Sequence, residues 1–598
     1  LEYLRPAFCD ALTGRSDSRD VLDRLVEDDL FTHVLDREDR SYRYHTLFRD
    51  ALLARQEQSL TAGEIAALHS AAAVQYQAID TFEWAAHHHI LAGNWDIALE
   101  LVHSQASAWV LDDHLTSIET WTGRFPLDVL LRDSFLTFCR LWALVRLGRL
   151  PDTEYLIAIA RQRAESLDDP FFELRLDLVD VYVGLLRHDL ERVLRLGRPW
   201  LDAFPSPGTF EHLAFLMIEI LAQMYGGHPL VASSLLDQTR QMIESSGRSW
   251  IDSLESNYRG RILMMLGNNS KAKAVFKQAI YLGERTNAQP LHYGHLLLAQ
   301  ASLESMELRS ARSNALRCLD LAGTIGTVVH GSPALQVLAD VATVRGDRHE
   351  AEQHIRQAIA IARKSKLTGM LMDAEARQAH YLVSHGDTEG ATFWATSRLA
   401  QERDPKNYRQ YRENGVLARY LIVTGRIPEA EALIVPLFEE AGRSNRRRDE
   451  FEMAVLGALA RWRAGDETGA IAKFRPALRR ASENQWVFIL ALDIHLLAPM
   501  LEQLANDPEL GGFVRSLLRE RRDRVHLRVV LDSTGSPLTP RERDMLSGLL
   551  TGKSNRELAE EMFISEYTVK RHLSNLYTKL GVSSRAQAIA FFSSRVEG

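Results

Sequence analysis

Lys570 and Arg571 are neighbouring cations in a stretch whose apolar residues, Val569, Leu573, Leu576 and Leu580, recur at intervals of four, three and four. That spacing places the four apolar side chains on one stripe of an α-helix, and such a stripe must lie on a core. Tyr567, Lys570, Arg571, Ser574 and Thr578 then share the other side. A long polar face that is basic in its N-terminal half can donate to phosphate oxygens and base edges, and it suits a helix inserted end-on into a major groove. Most charged helical residues form nothing more than a solvated face. Here the opposite stripe is already committed to a core, which favours contact with a polyanion. His572, with no partnered nucleophile near it in sequence, reads as a hydrogen-bond donor and not as a catalyst.

The elements around that helix carry their own start signals. Thr539 with Glu542, Ser554 with Glu557, and Ser584 with Gln587 have capping-box spacing, and Pro540 stands at the first helical position. Ser565 caps the basic helix without a partner at the third position. The step through Phe563 and Ile564 is short, and Ala559 is small where two helices must cross. This is the spacing of a helix-turn-helix.

The segment resembles the LuxR-type (GerE-like) helix-turn-helix of bacterial transcription regulators. The matching residues include Leu538-Thr539-Pro540-Arg541-Glu542, Gly552, Ser554-Asn555, Glu557, Ile564-Ser565, Thr568-Val569-Lys570, His572-Leu573, Asn575, Tyr577, Lys579-Leu580-Gly581-Val582 and Ser584-Arg585. Met562 stands where the family usually has Leu, a mild exchange. The resemblance implies base contacts from Lys570, Arg571 and Ser574, and phosphate contacts from Thr568, His572 and Asn575.

Only this unit has a charge balance that favours DNA. The whole chain of 598 residues has a formal charge of −8, whereas residues 538–598 hold nine Lys/Arg against seven Asp/Glu. The long remainder is therefore acidic and a poor partner for a phosphate backbone. Cys9, Cys139 and Cys318 are odd in number and far apart, which fits neither a disulfide framework nor a zinc site and points to the reducing cytoplasm. Neither an apolar run of membrane-spanning length (about 18 residues) nor a signal-peptide pattern occurs. The chain begins at Leu1 and is expected to be a piece of a longer protein.

The middle of the chain is periodic. A Gly followed five residues later by an Ala recurs at Gly227/Ala232, Gly267/Ala272, Gly346/Ala351, Gly386/Ala391, Gly425/Ala430 and Gly465/Ala470. Met306/Ala311, His188/Val193 and Gly148/Thr153 keep the frame with one or both residues changed, so that every interval is 39 or 40 residues. An earlier copy is Gly93/Ala98. The pattern predicts one helical hairpin per repeat, with Gly in the turn and Ala at a close helix contact. A single hairpin cannot bury its apolar face, so the hairpins must stack, in roughly nine to eleven pairs, into a superhelix.

This marker, with a LuxR-type unit behind it, resembles the sensor superhelix of MalT-like regulators, the large ATP-binding LuxR subfamily of the STAND class. Residues 1–56 extend the likeness. Ser18 to Asp29 reads as a helix, Leu30 to Leu35 and Ser41 to His45 as strands, and Asp36 to Arg40 as a charged turn, which is winged-helix order. In MalT-like proteins such a segment follows a nucleotide-binding domain. No phosphate-loop motif is found here, and Gly548-Leu549-Leu550-Thr551-Gly552-Lys553-Ser554 misses it, with three residues between its glycines.

The expected architecture is all-α: a small winged-helix remnant (1–58), a tetratricopeptide-like superhelix of helical hairpins (60–528), a linker (529–537) and a four-helix LuxR-type helix-turn-helix domain (538–598). The resemblance implies a cytoplasmic regulator of transcription. Its partners would be double-stranded DNA, RNA polymerase, further copies of itself on DNA, and an effector ligand or regulatory protein on the superhelix. No catalytic, metal or cofactor residue is expected in this chain, ATP and ADP belonging to a full-length parent. The alternative is a protein-interaction scaffold with incidental DNA binding. Two clusters are expected to be structural: His87-His88-His89 on a helix, and Arg446-Arg447-Arg448 in a solvated turn between repeats.

Overall fold

The computed structural model describes residues 1, 3–36, 41–164, 168–204, 208–246, 249–286, 291–401, 403–528, 542, 545–546, 548–549, 552–562 and 565–589. The expected linker 529–537, the helix start at Thr539 and Pro540, and the step through Phe563 and Ile564 lie outside them. The chain divides into two compact units, Leu1–Val183 with Leu196–Phe204, and Gly184–Arg195 with Pro205–Gly598.

The first unit opens with helices Pro6–Thr13 and Ser18–Glu27 and an antiparallel strand pair, Thr32–Asp36 and Ser41–Tyr44, in which Val34 lies opposite Tyr42. The winged-helix order is present. The first strand starts two residues later than its apolar run because Asp29 and Phe31 both take positive φ (54° and 49°), which turns the chain before pairing begins. Leu4, Leu22 and Tyr42 form its small core, and the Tyr42 hydroxyl donates to Asp23. The histidine run has a packing role. His88 stacks on Tyr76 at 5.4 Å, its Nδ1 lies 2.8 Å from that of His69, and burial pushes it down to about 3.

The repeat marker is a backbone fact. Gly93, Gly148, Gly227, Gly267, Gly346, Gly386, Gly425 and Gly465 all have φ between 74° and 90°. His188 and Met306, where the Gly is lost, still take φ of 56° and 60°. At each of the ten turns the next residue donates its N–H to the carbonyl five residues back, from Asn94 to His89 at 3.0 Å through to Asp466 to Arg461 at 3.1 Å. This is the Schellman closure, which uses up helix-end carbonyls that would otherwise lack a partner. Five residues after the marker, Ala98, Ala232, Ala272, Ala311, Ala351, Ala391, Ala430 and Ala470 are fully buried, as is Thr153. Each small side chain lets its hairpin close, and from Ala299 to Leu517 the stacked faces merge into one continuous core.

Within the second unit the superhelix meets itself. A Cβ added to Gly267 would lie 2.5 Å from Trp486 Cζ2, and one added to Gly227 would lie 2.9 Å from Tyr408 Cγ. Val487 donates its N–H to the Glu304 carbonyl at 2.9 Å, and Arg448 pairs with the Glu304 carboxylate at 2.8 Å. Turns of early repeats are thus seated on side chains some 150 to 220 positions later.

The reading of Arg446-Arg447-Arg448 as a solvated turn is overturned here. Arg446 is 1% exposed, over the rings of Tyr408 (4.6 Å) and Tyr411 (5.0 Å), and pairs with Asp449 at 3.2 Å. Arg448 is held by Glu304 and Glu452. Only Arg447 keeps the expected exposure, at 45% of its side chain. Buried arginines of this kind are tolerated because carboxylates of their own helix, the Glu304 carboxylate and the faces of Tyr408 and Tyr411 meet them.

Candidate nucleic-acid interface

The basic helix is Glu566–Leu580. Ser565, in extended backbone, accepts from the Thr568 N–H at 3.2 Å, and Gly581 ends the helix with φ of 68°. Val569, Leu573, Leu576 and Leu580 are its buried residues. They share a core with Met545, Leu546, Leu549, Leu558 and Ala559, so the preceding helix Asn555–Met562 and the segment around Leu546 fix the stripe inward.

The opposite face is open. Tyr567 is 78% exposed, and Lys570, Arg571, Ser574, Asn575 and Thr578 are exposed, while Thr568 and His572 are half-buried. Among the described residues neither Lys570 nor Arg571 has a carboxylate or hydrogen-bond partner. Two unpaired cations one turn beyond a helix N-terminus leave their charge available to an external anion, and the helix dipole adds to it. The six candidate contact residues thus lie together on one side of one helix.

The supports are tied down by side chains. At the preceding helix the Ser554 hydroxyl accepts from the Glu557 N–H at 3.3 Å, and the Glu557 carboxylate accepts from the Ser554 N–H at 2.7 Å, completing the expected capping box. The Ser554 N–H foremost, and then the Ser554 hydroxyl, which donates to the same carboxylate at 2.8 Å, hold the Glu557 carboxyl below its usual range. The box expected at Ser584 is only half made. Ser584 accepts from the Gln587 N–H at 3.2 Å, but the Gln587 side chain accepts from the N–H of Ser583 at 2.8 Å, one residue earlier.

Two positioning contacts had no local signal. Lys579, in the last turn of the basic helix, donates to Glu542 at 2.9 Å, and Arg585 donates to the Lys553 carbonyl. Their partners lie 37 and 32 residues away, so only the fold brings them together. No group of three His, Cys, Asp or Glu arranged to hold a metal ion occurs among the described residues. Nor is any described helix long and apolar enough to cross a membrane.

Comparison with known proteins covers all three regions. Residues 183–507 match the family described as the MalT-like TPR region, residues 536–592 the bacterial regulatory proteins of the luxR family, and residues 1–64 the MalT winged helix domain. The HTH-type transcriptional regulator MalT of Serratia proteamaculans is 23% identical over 98% of this chain and 68% of its own length. The protein of that name from Yersinia enterocolitica serotype O:8 gives the same identity and the same coverage.

Proposed function

The chain belongs to the MalT-like family of LuxR-type transcription regulators, and on that premise we propose that it binds specific double-stranded DNA by seating the helix Glu566–Leu580 in the major groove. In this reading Lys570, Arg571 and Ser574 read base edges, while Thr568, His572 and Asn575 hold phosphates. The observation that carries it is that Lys570 and Arg571 have no partner among the described residues, on a face whose opposite stripe is buried. The superhelix would receive an effector or a regulatory protein, and self-association would place paired DNA-binding units beside RNA polymerase in the cytoplasm. Nucleotide binding is not assigned to any residue of this chain. Calorimetry with ATP and with ADP should accordingly give no micromolar site, and a tight one would reverse that assignment.

Fluorescence anisotropy of the full chain on operator DNA, over a salt series, tests the main reading. Affinity should fall steeply with salt. Lys570→Ala or Arg571→Ala should cost about 1–3 kcal/mol where the side chain makes a base contact, and should relax the preference at that base pair. Unchanged affinity and base preference in both folded variants would show that this face does not dock. Absence of sequence-selective binding altogether would leave an interaction scaffold.

A further inference from the structure

The second unit encloses a cavity of about 420 Å3 where the superhelix meets itself, walled by residues from Leu185 to Leu492. Most charges in the wall are already matched. Arg377 pairs with Asp340 at 3.3 Å, and Arg419 with Asp493 at 2.7 Å and Glu452 at 2.8 Å. Arg448 pairs with Glu304, and Asp449 pairs with Arg446. The remaining wall carboxylate, Asp373, acts electrostatically on Arg377.

Arg261 is different. Its guanidinium lies 4.7 Å over the Tyr225 ring, and among the described residues its one hydrogen bond is to the Tyr293 hydroxyl, at 3.3 Å. Among the described residues no carboxylate lies within ion-pair distance of it, and its other N–H groups are neither matched nor sealed away. The hydroxyl of Tyr408 is within electrostatic reach of Asp449, whose charge Arg446 already matches, and of Arg446, Arg261 and Arg412, and among the described residues it is likewise unmatched and unsealed. Among the described residues Arg412 donates to Gln336 Oε1 at 3.5 Å and acts electrostatically on Asp340, which Arg377 already pairs. One corner of the cavity therefore carries spare positive charge and spare donors. Leu185, Leu186, Met264, Leu296 and Val337 contribute apolar surface to the wall.

A guanidinium with a free fork, flanked by hydroxyl donors and backed by an aromatic face, recognises a carboxylate or a phosphate. The volume is that of a small-molecule site, roughly 300–1,000 Å3, and excludes a folded partner. We propose that this cavity binds a small organic anion, a single carboxylate or phosphate on a body of one or two rings, with the acid group on Arg261 and the Tyr408 hydroxyl. The proposal rests on the reading of the superhelix as the effector-receiving part and names the chemistry of that effector. Arg261 comes from the helix Ser249–Met265 and Tyr408 from a segment some 150 residues later, so one ligand would bridge two regions that meet only through closure.

The test is calorimetry on the full chain with benzoate, 3-phenylpropionate and phenyl phosphate, against benzamide, 3-phenylpropionamide and inorganic phosphate. At least one acid should bind about tenfold or more above its neutral amide or above inorganic phosphate. Arg261→Gln should weaken that acid about ten- to hundredfold and leave the amides unchanged, and Arg261→Lys should lose less. Preference for phenyl phosphate identifies a phosphate ligand and preference for the carboxylates a carboxylic one. Acids no tighter than their uncharged or bodiless controls would overturn the proposal, as would undiminished acid binding in Arg261→Gln. Should that variant melt below the wild type, the comparison of acid with amide on the wild type decides alone. Operator affinity measured with and without the bound acid separates the two readings. An acid that binds without changing DNA affinity leaves the site intact and removes its effector role, while failure of DNA binding removes the regulator reading whatever the acid does.

Discussion

Gly267 and Gly425 hold the same place in their repeats, with φ of 90° and 76°, yet replacing each by Ala should cost very different amounts. At Gly425 nothing lies within 4 Å of an added Cβ, so Gly425→Ala costs only the left-handed backbone of an L-residue, about 1–2 kcal/mol. At Gly267 the same Cβ would meet Trp486 Cζ2 at 2.5 Å and Arg447 Cβ at 3.0 Å. Trp486 is 2% exposed and has Phe451 against it at 5.2 Å, so it has little room to withdraw. Overpacking there adds about 1–3 kcal/mol, for a total of about 2–5 kcal/mol. Gly227→Ala, facing Tyr408 Cγ at 2.9 Å, should resemble Gly267→Ala. Urea unfolding of the three variants beside the wild type measures the difference directly. Equal costs at Gly267 and Gly425 would mean that the superhelix does not close on itself in solution, and the cavity would then lose its far wall.

The closing network should also be visible in acid. Burial favours the neutral form of Glu452, but Arg448 and Arg419 more than offset it and hold the carboxyl at about 2, against 4.5 when free. A depressed acid stabilises the fold above its free value and loses that contribution as pH falls toward the folded one, here worth about 3 kcal/mol between pH 4.5 and 2. The unfolding free energy should therefore drop more steeply over that interval in the wild type than in Glu452→Gln, and identical slopes would refute the pairing. In the DNA-binding unit, Val569→Asp should abolish helix-turn-helix folding, because it buries an unmatched charge in a core of few residues. Operator binding would then be lost completely, and a Val569→Asp protein that binds DNA normally would show that the stripe had been assigned to the wrong side.

The parts legible in sequence were those whose cause is local. A helix stripe repeats every three or four residues and a capping box spans three, so Val569 to Leu580 and Ser554/Glu557 could be placed from residue types alone. The repeat turns were legible through Gly, and the frame survived at His188 and Met306 because the backbone geometry, and not the glycine, is what repeats. Closure left no such trace. Glu304 and Arg448 are 144 residues apart, and Ser270 and Gln485 are 215 apart, so nothing in their neighbourhoods distinguishes them from surface groups. The same reasoning hid Arg446 and Arg448, since a run of three arginines beside Asp449 and Glu450 has the composition of a solvated turn. Lys579 and Arg585 matched the family pattern, but their tasks, holding Glu542 and the Lys553 carbonyl, emerge only when the helices are assembled.

An open stack of hairpins is a spring. It lengthens or coils by small changes spread over every interface, and its response to load is graded. Once Val487 and Arg448 are fastened to Glu304, and Trp486 lies against Gly267, successive coils are clamped and that compliance is gone. Pitch can then change only by releasing the clamp. Gaining or losing one hairpin of 39 or 40 residues would be harmless in a free spring. Here it would carry Gly267 past Trp486 by a whole repeat, so the number of hairpins between the clamped points is fixed by geometry in the way the number of links is fixed in a fastened bracelet.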